Sequence, residues 1–281
     1  MLSYVFGIRF CCIMGIVFWV GIIFAAAIPP AELETDRREV AYRSADADIR
    51  ALLITPKTTT FTPVIIIVHD IFGMTPFIKA QAETFAKQGY TVLLPNLYSR
   101  LPGSDEPYDS NAAWAAYNKT RDQQIMDDLS ASIEFLQGEG QAKRPLGIVG
   151  YDMGGSFAML MAGSDLRVSA AVNYYGRVLY ANTTVSRPVS PVESLFNLHA
   201  PLLSFYGTND PQVPESHIRA LRSRLANNPN KTFHEIVLYP NVGHSLLVPT
   251  RAGYDKAAAT EAETKTRLFL AKFLRTQPND H

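Results

Sequence analysis

Apolar positions follow two rhythms along this chain: short unbroken runs, and longer stretches with helical spacing. Pro63-Val64-Ile65-Ile66-Ile67-Val68 is a continuous, mostly β-branched run, the pattern of a strand buried on both faces of a sheet. Tyr90 to Leu94, Pro145 to Val149, Val168 to Tyr175, Pro201 to Tyr206 and Phe233 to Tyr239 read as further strands. Arg37 to Arg43 and Asp48 to Thr55 predict two short strands around the polar turn Ser44-Ala45-Asp46. Pro76 to Gln88 has helical spacing and stops at Gly89, a usual terminator. Asn111 to Gln137 reads as one long polar helix and Arg251 to Phe273 as a closing one. Strands alternating with helices in this way predict an α/β fold with a doubly wound, mainly parallel sheet. Ligands on such sheets sit at the carboxyl ends of the strands.

The first residues break the pattern. Phe10 to Ile28 carries no charge, follows Arg9 and precedes Pro29-Pro30-Ala31-Glu32. One positive charge, an apolar stretch and Ala25-Ala26-Ala27 fit a secretory signal with a small-residue cleavage site. The run exceeds the ~7–15 residues of a signal core, which fits an uncleaved membrane anchor equally. The expected division is residues 1–28 as signal peptide or anchor, 29–36 as linker and 37–281 as the domain. The expected location is the periplasm or the outside of the cell, or a membrane with the domain facing away from the cytoplasm.

Composition narrows the partners. The 281 residues are 47% hydrophobic and 19% charged, enough for one large core. Lys plus Arg and Asp plus Glu number 26 each, so no basic surplus calls for nucleic acid. Cys11 and Cys12 both lie in the leader, which leaves the domain without a disulfide or a thiol nucleophile. His69, His199, His217, His234 and His281 are scattered without metal-ligand spacing, so no metal or other cofactor is expected. A small molecule is the expected substrate.

Chemistry concentrates at three turns. Gly150-Tyr151-Asp152-Met153-Gly154-Gly155 follows a strand and opens the apolar segment Ser156 to Ala162. Strand, glycine-flanked turn and helix make a nucleophile elbow, in which one side chain is held on a sharp turn above the sheet. Its middle residue is Asp152, where Ser or Cys is usual. The strand Pro201 to Tyr206 ends in Gly207-Thr208-Asn209-Asp210, and Phe233 to Tyr239 ends in Pro240-Asn241-Val242-Gly243-His244-Ser245. Nucleophile, acid and His in that chain order match the α/β-hydrolases. His244 can take and return a proton near neutrality, and Asp210 would fix its tautomer.

His69-Asp70-Ile71-Phe72-Gly73, Leu97-Tyr98-Ser99-Arg100, the elbow, Tyr174-Tyr175-Gly176 and Tyr239 to Ser245 together resemble the dienelactone hydrolase family. The resemblance covers about residues 37 to 275. It implies an α/β-hydrolase fold and an oxyanion hole from the backbone N–H groups of Ile71 and Met153. It implies a supporting carboxylate at Asp70, where the family carries glutamate, and a substrate-carboxylate ligand at Arg100. The second such arginine falls at Val248, and Arg251 nearby is not its equivalent. Asp70 and Asp152 end neighbouring strands, so one of them should have a raised pKa, and Asp70 is the one expected to hold the proton.

A carboxylate at the elbow leaves three functions open. The first is hydrolysis of an ester or lactone through an Asp152–His244–Asp210 site. The second is hydrolysis of a carbon–halogen or epoxide bond through an alkyl-enzyme ester on Asp152. Enzymes of that kind normally carry a cap domain, yet only Gly176 to Ala200 separates the relevant strands, so no large cap domain is expected. The third is a relative that binds a ligand without turnover.

Overall fold

The computed structural model describes residues 32–104, 106–141 and 144–275. The expected signal or anchor, residues 1–28, lies outside the described residues. Among the described residues, no helix is long and apolar enough to cross a membrane.

Eight strands form one sheet: β1 (Thr35–Ser44), β2 (Ala47–Pro56), β3 (Val64–Val68), β4 (Thr91–Pro95), β5 (Leu146–Tyr151), β6 (Val168–Tyr174), β7 (Leu202–Gly207) and β8 (His234–Tyr239). Their order is β1-β2-β4-β3-β5-β6-β7-β8. The β1–β2 hairpin and the β2–β4 pair are antiparallel, and the other pairings are parallel. Strands β3, β4, β5 and β7 are buried at every position, which is why they read as unbroken apolar runs. The helices are α1 (Pro76–Lys87), α2 (Ser110–Lys119), α3 (Asp122–Leu136), α4 (Met153–Ser164), α5 (Pro191–Ser194), α6 (Glu215–Ala226) and α7 (Lys256–Leu274). Helix α4 is buried from Met153 through Ala162 because β3, β5 and β6 lie under it and α3 and α5 beside it. The β6–β7 connection holds only α5 and the 3-10 turn Leu195–Asn197, so the domain has no large cap.

Three boundaries differ from the sequence expectation. The described part of the linker belongs to the domain, since Leu33 N–H donates to Lys87 O at 2.9 Å and β1 begins at Thr35. The long polar helix is two helices. Thr120 is extended (φ −87°, ψ 159°), and its hydroxyl donates to Tyr117 O at 2.7 Å. The Arg187 guanidinium donates to Tyr117 O at 2.6 Å and stacks over the Tyr117 ring at 3.7 Å, so a remote side chain satisfies the broken end. The closing helix starts at Lys256, where the Asp255 carboxylate accepts from Ala258 N–H at 2.8 Å, rather than at Arg251.

Candidate active site

β5 ends at Tyr151 and α4 starts at Met153, which leaves one residue to make the turn. Asp152 makes it at φ 52°, ψ −113°. A side chain carrying Cβ in this region costs about 1–3 kcal/mol and persists only where its surroundings impose it. They do so here. Asp152 N–H donates to Tyr174 O at 3.0 Å, and Asp152 O accepts from Gly155 N–H at 3.0 Å. A Cβ on Gly150 would lie 1.9 Å from Gly154 O, and one on Gly154 would lie 2.1 Å from Val68 O. Only glycine lets strand, helix and neighbouring strand approach this closely.

The carboxyl ends of β5 and β7 and the loop after β8 converge. His244 Nδ1 lies 2.7 Å from Asp210 Oδ2, and His244 Nε2 lies 3.1 Å from Asp152 Oδ1. Asp210 is buried, and its other oxygen accepts from Gln212 N–H at 2.8 Å. Burial alone would lower the His244 pKa. The hydrogen bonds and charges of Asp152 and Asp210 outweigh it and raise the pKa to about 9. Burial likewise opposes ionisation of Asp152, yet the His244 bond and charge, with Met153 N–H and Arg177, hold its carboxyl below the ordinary value. At neutral pH the pair is a carboxylate and an imidazolium.

Asp70 lies two residues beyond β3, whose register places Val68 opposite Gly150 of β5. Its Oδ1 accepts from Phe72 N–H at 2.9 Å, and its carbonyl accepts from Gly73 N–H at 3.2 Å, so the turn carrying Ile71 is fixed at both ends. Burial raises the Asp70 pKa to about 7, and the Asp152 charge adds to the rise. This is the direction expected for two carboxylates at neighbouring strand ends. Tyr98 OH donates to Ile71 O at 3.1 Å and lies 3.6 Å from Met153 Sδ, tying together the two residues expected to form the oxyanion hole. As the first residue of α4, Met153 has no residue inside the helix to accept its N–H, which is directed at the Asp152 carboxyl. His69 is structural. Its Nε2 accepts from Leu97 N–H at 3.1 Å, which places the ring proton on Nδ1, donating to Asp70 O at 2.6 Å. Burial lowers its pKa to about 4 and keeps it neutral.

Arg100 is not brought to the site. Its guanidinium donates to Asp128 Oδ2 at 2.6 Å and to Ser44 O at 3.0 Å, so it braces the β1–β2 turn against α3 instead of meeting a substrate carboxylate. The cations whose charge reaches the candidate site are Arg251, felt by Asp70, and Arg177, felt by Asp152. Each rests on an aromatic ring, Arg251 over Phe72 at 3.7 Å and Arg177 over Trp114 at 4.9 Å. Arg177 also donates to Gln212 Oε1 at 2.8 Å. Sequence reasoning missed Arg177, whose one available signal was its place just beyond Tyr174-Tyr175-Gly176.

Residues 49–274 match the model of the dienelactone hydrolase family. The chain belongs to the dienelactone hydrolase family. Membership makes it an enzyme of the hydrolase class with an α/β-hydrolase fold. A Yersinia pestis protein named as a carboxymethylenebutenolidase is 34% identical over 203 residues, 71% of this chain and 74% of that one. A Bradyrhizobium protein named as a 2-oxo-3-(5-oxofuran-2-ylidene)propanoate lactonase is 30% identical over 224 residues, 78% of this chain and 88% of that one. A family structure from Klebsiella pneumoniae superposes with a TM-score of 0.79 at 26% identity, covering 85% of this chain and 100% of that one.

Proposed function

We propose that this family member hydrolyses a small lactone or carboxylic ester, with Asp152 as nucleophile and His244, oriented by Asp210, moving the protons. The supporting observation is His244 lying between two carboxylates, 3.1 Å from Asp152 and 2.7 Å from Asp210. A serine nucleophile needs a neutral histidine to accept its proton. Asp152 is ionised from the start, so the imidazolium is free to act as an acid. One Asp152 oxygen would bond to the acyl carbon while the carbonyl oxygen gathers charge against the N–H groups of Ile71 and Met153. The acyl C–O bond then breaks, and the leaving oxygen takes the Nε2 proton, giving a mixed anhydride on Asp152 and a neutral His244. Water attacks the anhydride and gives its proton to His244, which releases the acid and restores the carboxylate–imidazolium pair. An anhydride is high in energy, so its formation is the slow step and its hydrolysis the fast one. Relatives named for lactone substrates support this reading.

A second reading rests on the same anionic Asp152. Attack on a saturated carbon, as in an alkyl halide or epoxide, yields an ordinary ester instead of an anhydride. Mass spectrometry of the wild type and of His244→Gln after incubation with lactones, esters, alkyl halides and epoxides separates the two. The acyl route predicts lactone or ester turnover by the wild type and no lasting adduct on either protein. A stable mass gain on Asp152 in His244→Gln with a halide or epoxide supports the second reading. Neither turnover nor adduct with any class leaves a ligand-binding relative. Export or anchoring through residues 1–28 is part of the proposal, and fractionation of cells expressing the full chain against one starting at residue 29 tests it.

A further inference from the structure

Two adjacent tyrosines leave β6 in opposite directions. Tyr174 stacks between Tyr151 and Phe205, each ring 5.0 Å away, and its hydroxyl is bonded to Thr266. Tyr175 turns the other way, at φ 45°, a left-handed conformation that a bulky side chain rarely adopts. Its surroundings force this conformation. Tyr175 N–H donates to Phe205 O at 2.9 Å, and Gly176 N–H donates to Asn173 Oδ1 at 2.8 Å. A Cβ on Gly176 would lie 2.4 Å from Ser156 N, so the chain after Tyr175 cannot shift toward α4 to relax the turn. Strain held this firmly beside reacting groups points to a role there.

The Tyr175 ring meets the His244 ring at 5.2 Å and 69°, edge against face, and the residue is 1% exposed. Burial, then the charges of Asp70 and Asp152, push the phenol pKa well above its ordinary value, so the group keeps its proton throughout the working range of pH. Among the described residues its hydroxyl makes no hydrogen bond, in contrast to Tyr174. Among the described residues the tyrosine hydroxyl sealed without a partner is that of Tyr239, so the Tyr175 hydroxyl keeps contact with solvent, a donor in the field of two carboxylates that is bonded to neither and open to another acceptor.

We infer that Tyr175 is a further catalytic residue, whose O–H donates a hydrogen bond to the leaving oxygen of the substrate. The inference rests on the hydrolytic reading above. In that reading the carbonyl oxygen is held by two backbone donors, Ile71 and Met153. Tyr175 packs on the ring that hands over the proton, so the oxygen beside both groups is the one that departs. No proton leaves Tyr175 in this step. As the acyl C–O bond breaks, its electron pair passes to the leaving oxygen, the Nε2 proton of His244 joins that oxygen, and the phenol stabilises the charge between the two events. Such help matters most for leaving groups that are poor by themselves.

The test is a series of esters of one acid whose leaving alcohols run from nitrophenols to simple alkanols, with wild type, Tyr175→Phe and Asp152→Asn. The variant Tyr175→Phe keeps the ring on His244 and removes only the hydroxyl. It should lower kcat/KM about tenfold to hundredfold for alkyl esters and barely change it for nitrophenyl esters, steepening the dependence on leaving-group pKa. Replacing Tyr175 by 3-fluorotyrosine, a stronger donor of nearly the same shape, should flatten that dependence. An equal loss across the series, or no loss anywhere, overturns the inference even with a folded protein by thermal melting. If Tyr175→Phe fails to fold, the fluorotyrosine series decides alone, and an unchanged slope overturns the inference. Full turnover by Asp152→Asn defeats the hydrolytic reading itself, and a wild type inert on the whole series defeats both.

Discussion

Two buried aspartates of this domain, Asp128 on α3 and Asp152 at the elbow, are built toward opposite ends. Around Asp128, Arg100 fills Oδ2 at 2.6 Å and Ser44 fills Oδ1 at 2.6 Å. The Ser132 hydroxyl donates to the backbone carbonyl of the same residue at 2.9 Å. Around Asp152, a single side chain approaches, His244 at 3.1 Å, on a backbone held at positive φ and beside a second acid, Asp70. Burial is common to both, so burial alone does not mark a reactive group. What distinguishes Asp152 is a partner that can move a proton, His244, and a conformation its neighbours impose.

The largest expected effects test that contrast directly. Asp152→Asn should lower kcat by about 10⁴ or more, as loss of a triad nucleophile does, and should also lower the melting temperature at neutral pH, because His244 loses one of the two carboxylates that hold its proton. Asp128→Ala should keep activity per folded molecule while stability falls by about 1–3 kcal/mol, because Ser44 and Arg100 lose the buried carboxylate they donate to. Activity lost in Asp128→Ala without loss of stability would erase the distinction.

A pH series sharpens it. Hydrolysis should hold through neutral pH and fall as pH rises through about 9, where His244 gives up its proton. Stability should follow the same limb. The folded pKa of His244 is raised from 6.5, so its contribution is complete below about 6.5 and is lost as pH rises through about 9. The Asp152 pKa is lowered from 3.8, so its contribution is present above that value and lost as pH falls below it. Chemical denaturation from pH 3 to 10 checks both limbs, and Asp152→Asn should flatten the alkaline one.

Smaller effects are expected at Asp70. Its folded pKa is raised from 3.8 to about 7, so the stability it contributes in acid is lost as pH rises through about 7. Asp70→Asn should therefore be at least as stable as the wild type at pH 8, with a smaller activity loss than Asp152→Asn. The smallest effect concerns Arg100. Arg100→Lys should leave KM within about twofold for lactones with and without a carboxylate, since the cation is spent on Asp128, while lowering stability by about 1 kcal/mol. A KM that rises only for the carboxylate-bearing lactone would return Arg100 to the site.

Much of this was legible in sequence because it is written locally. Unbroken apolar runs gave the buried strands, and glycines at Gly150 and Gly154 gave the elbow. The order of Asp152, Asp210 and His244 singled out the groups that the strand ends bring together. What failed was written at a distance. No glycine or proline marks the break at Thr120, which depends on Arg187 arriving from the β6–β7 connection. Arg100 looked free because its partner, Asp128, lies on α3. The helix α6 escaped notice because its buried face is only Ile218, Leu221 and Leu225 within an arginine-rich stretch.

The contact between Gly154 and the Val68 carbonyl also bears on when the site comes into being. β3 and β5 meet across some eighty residues of chain, and non-local parallel pairing is slow to form. The turn at Asp152 is unfavourable by itself, so a chain that has made β5 and α4 but has not yet docked β3 and β6, whose Tyr174 O takes the Asp152 N–H, has little reason to hold it. Completion of the sheet and arming of the carboxylate are one event. A half-folded molecule therefore carries the residues of the site without its reactivity, and return of activity on refolding should lag behind the early gain of helix.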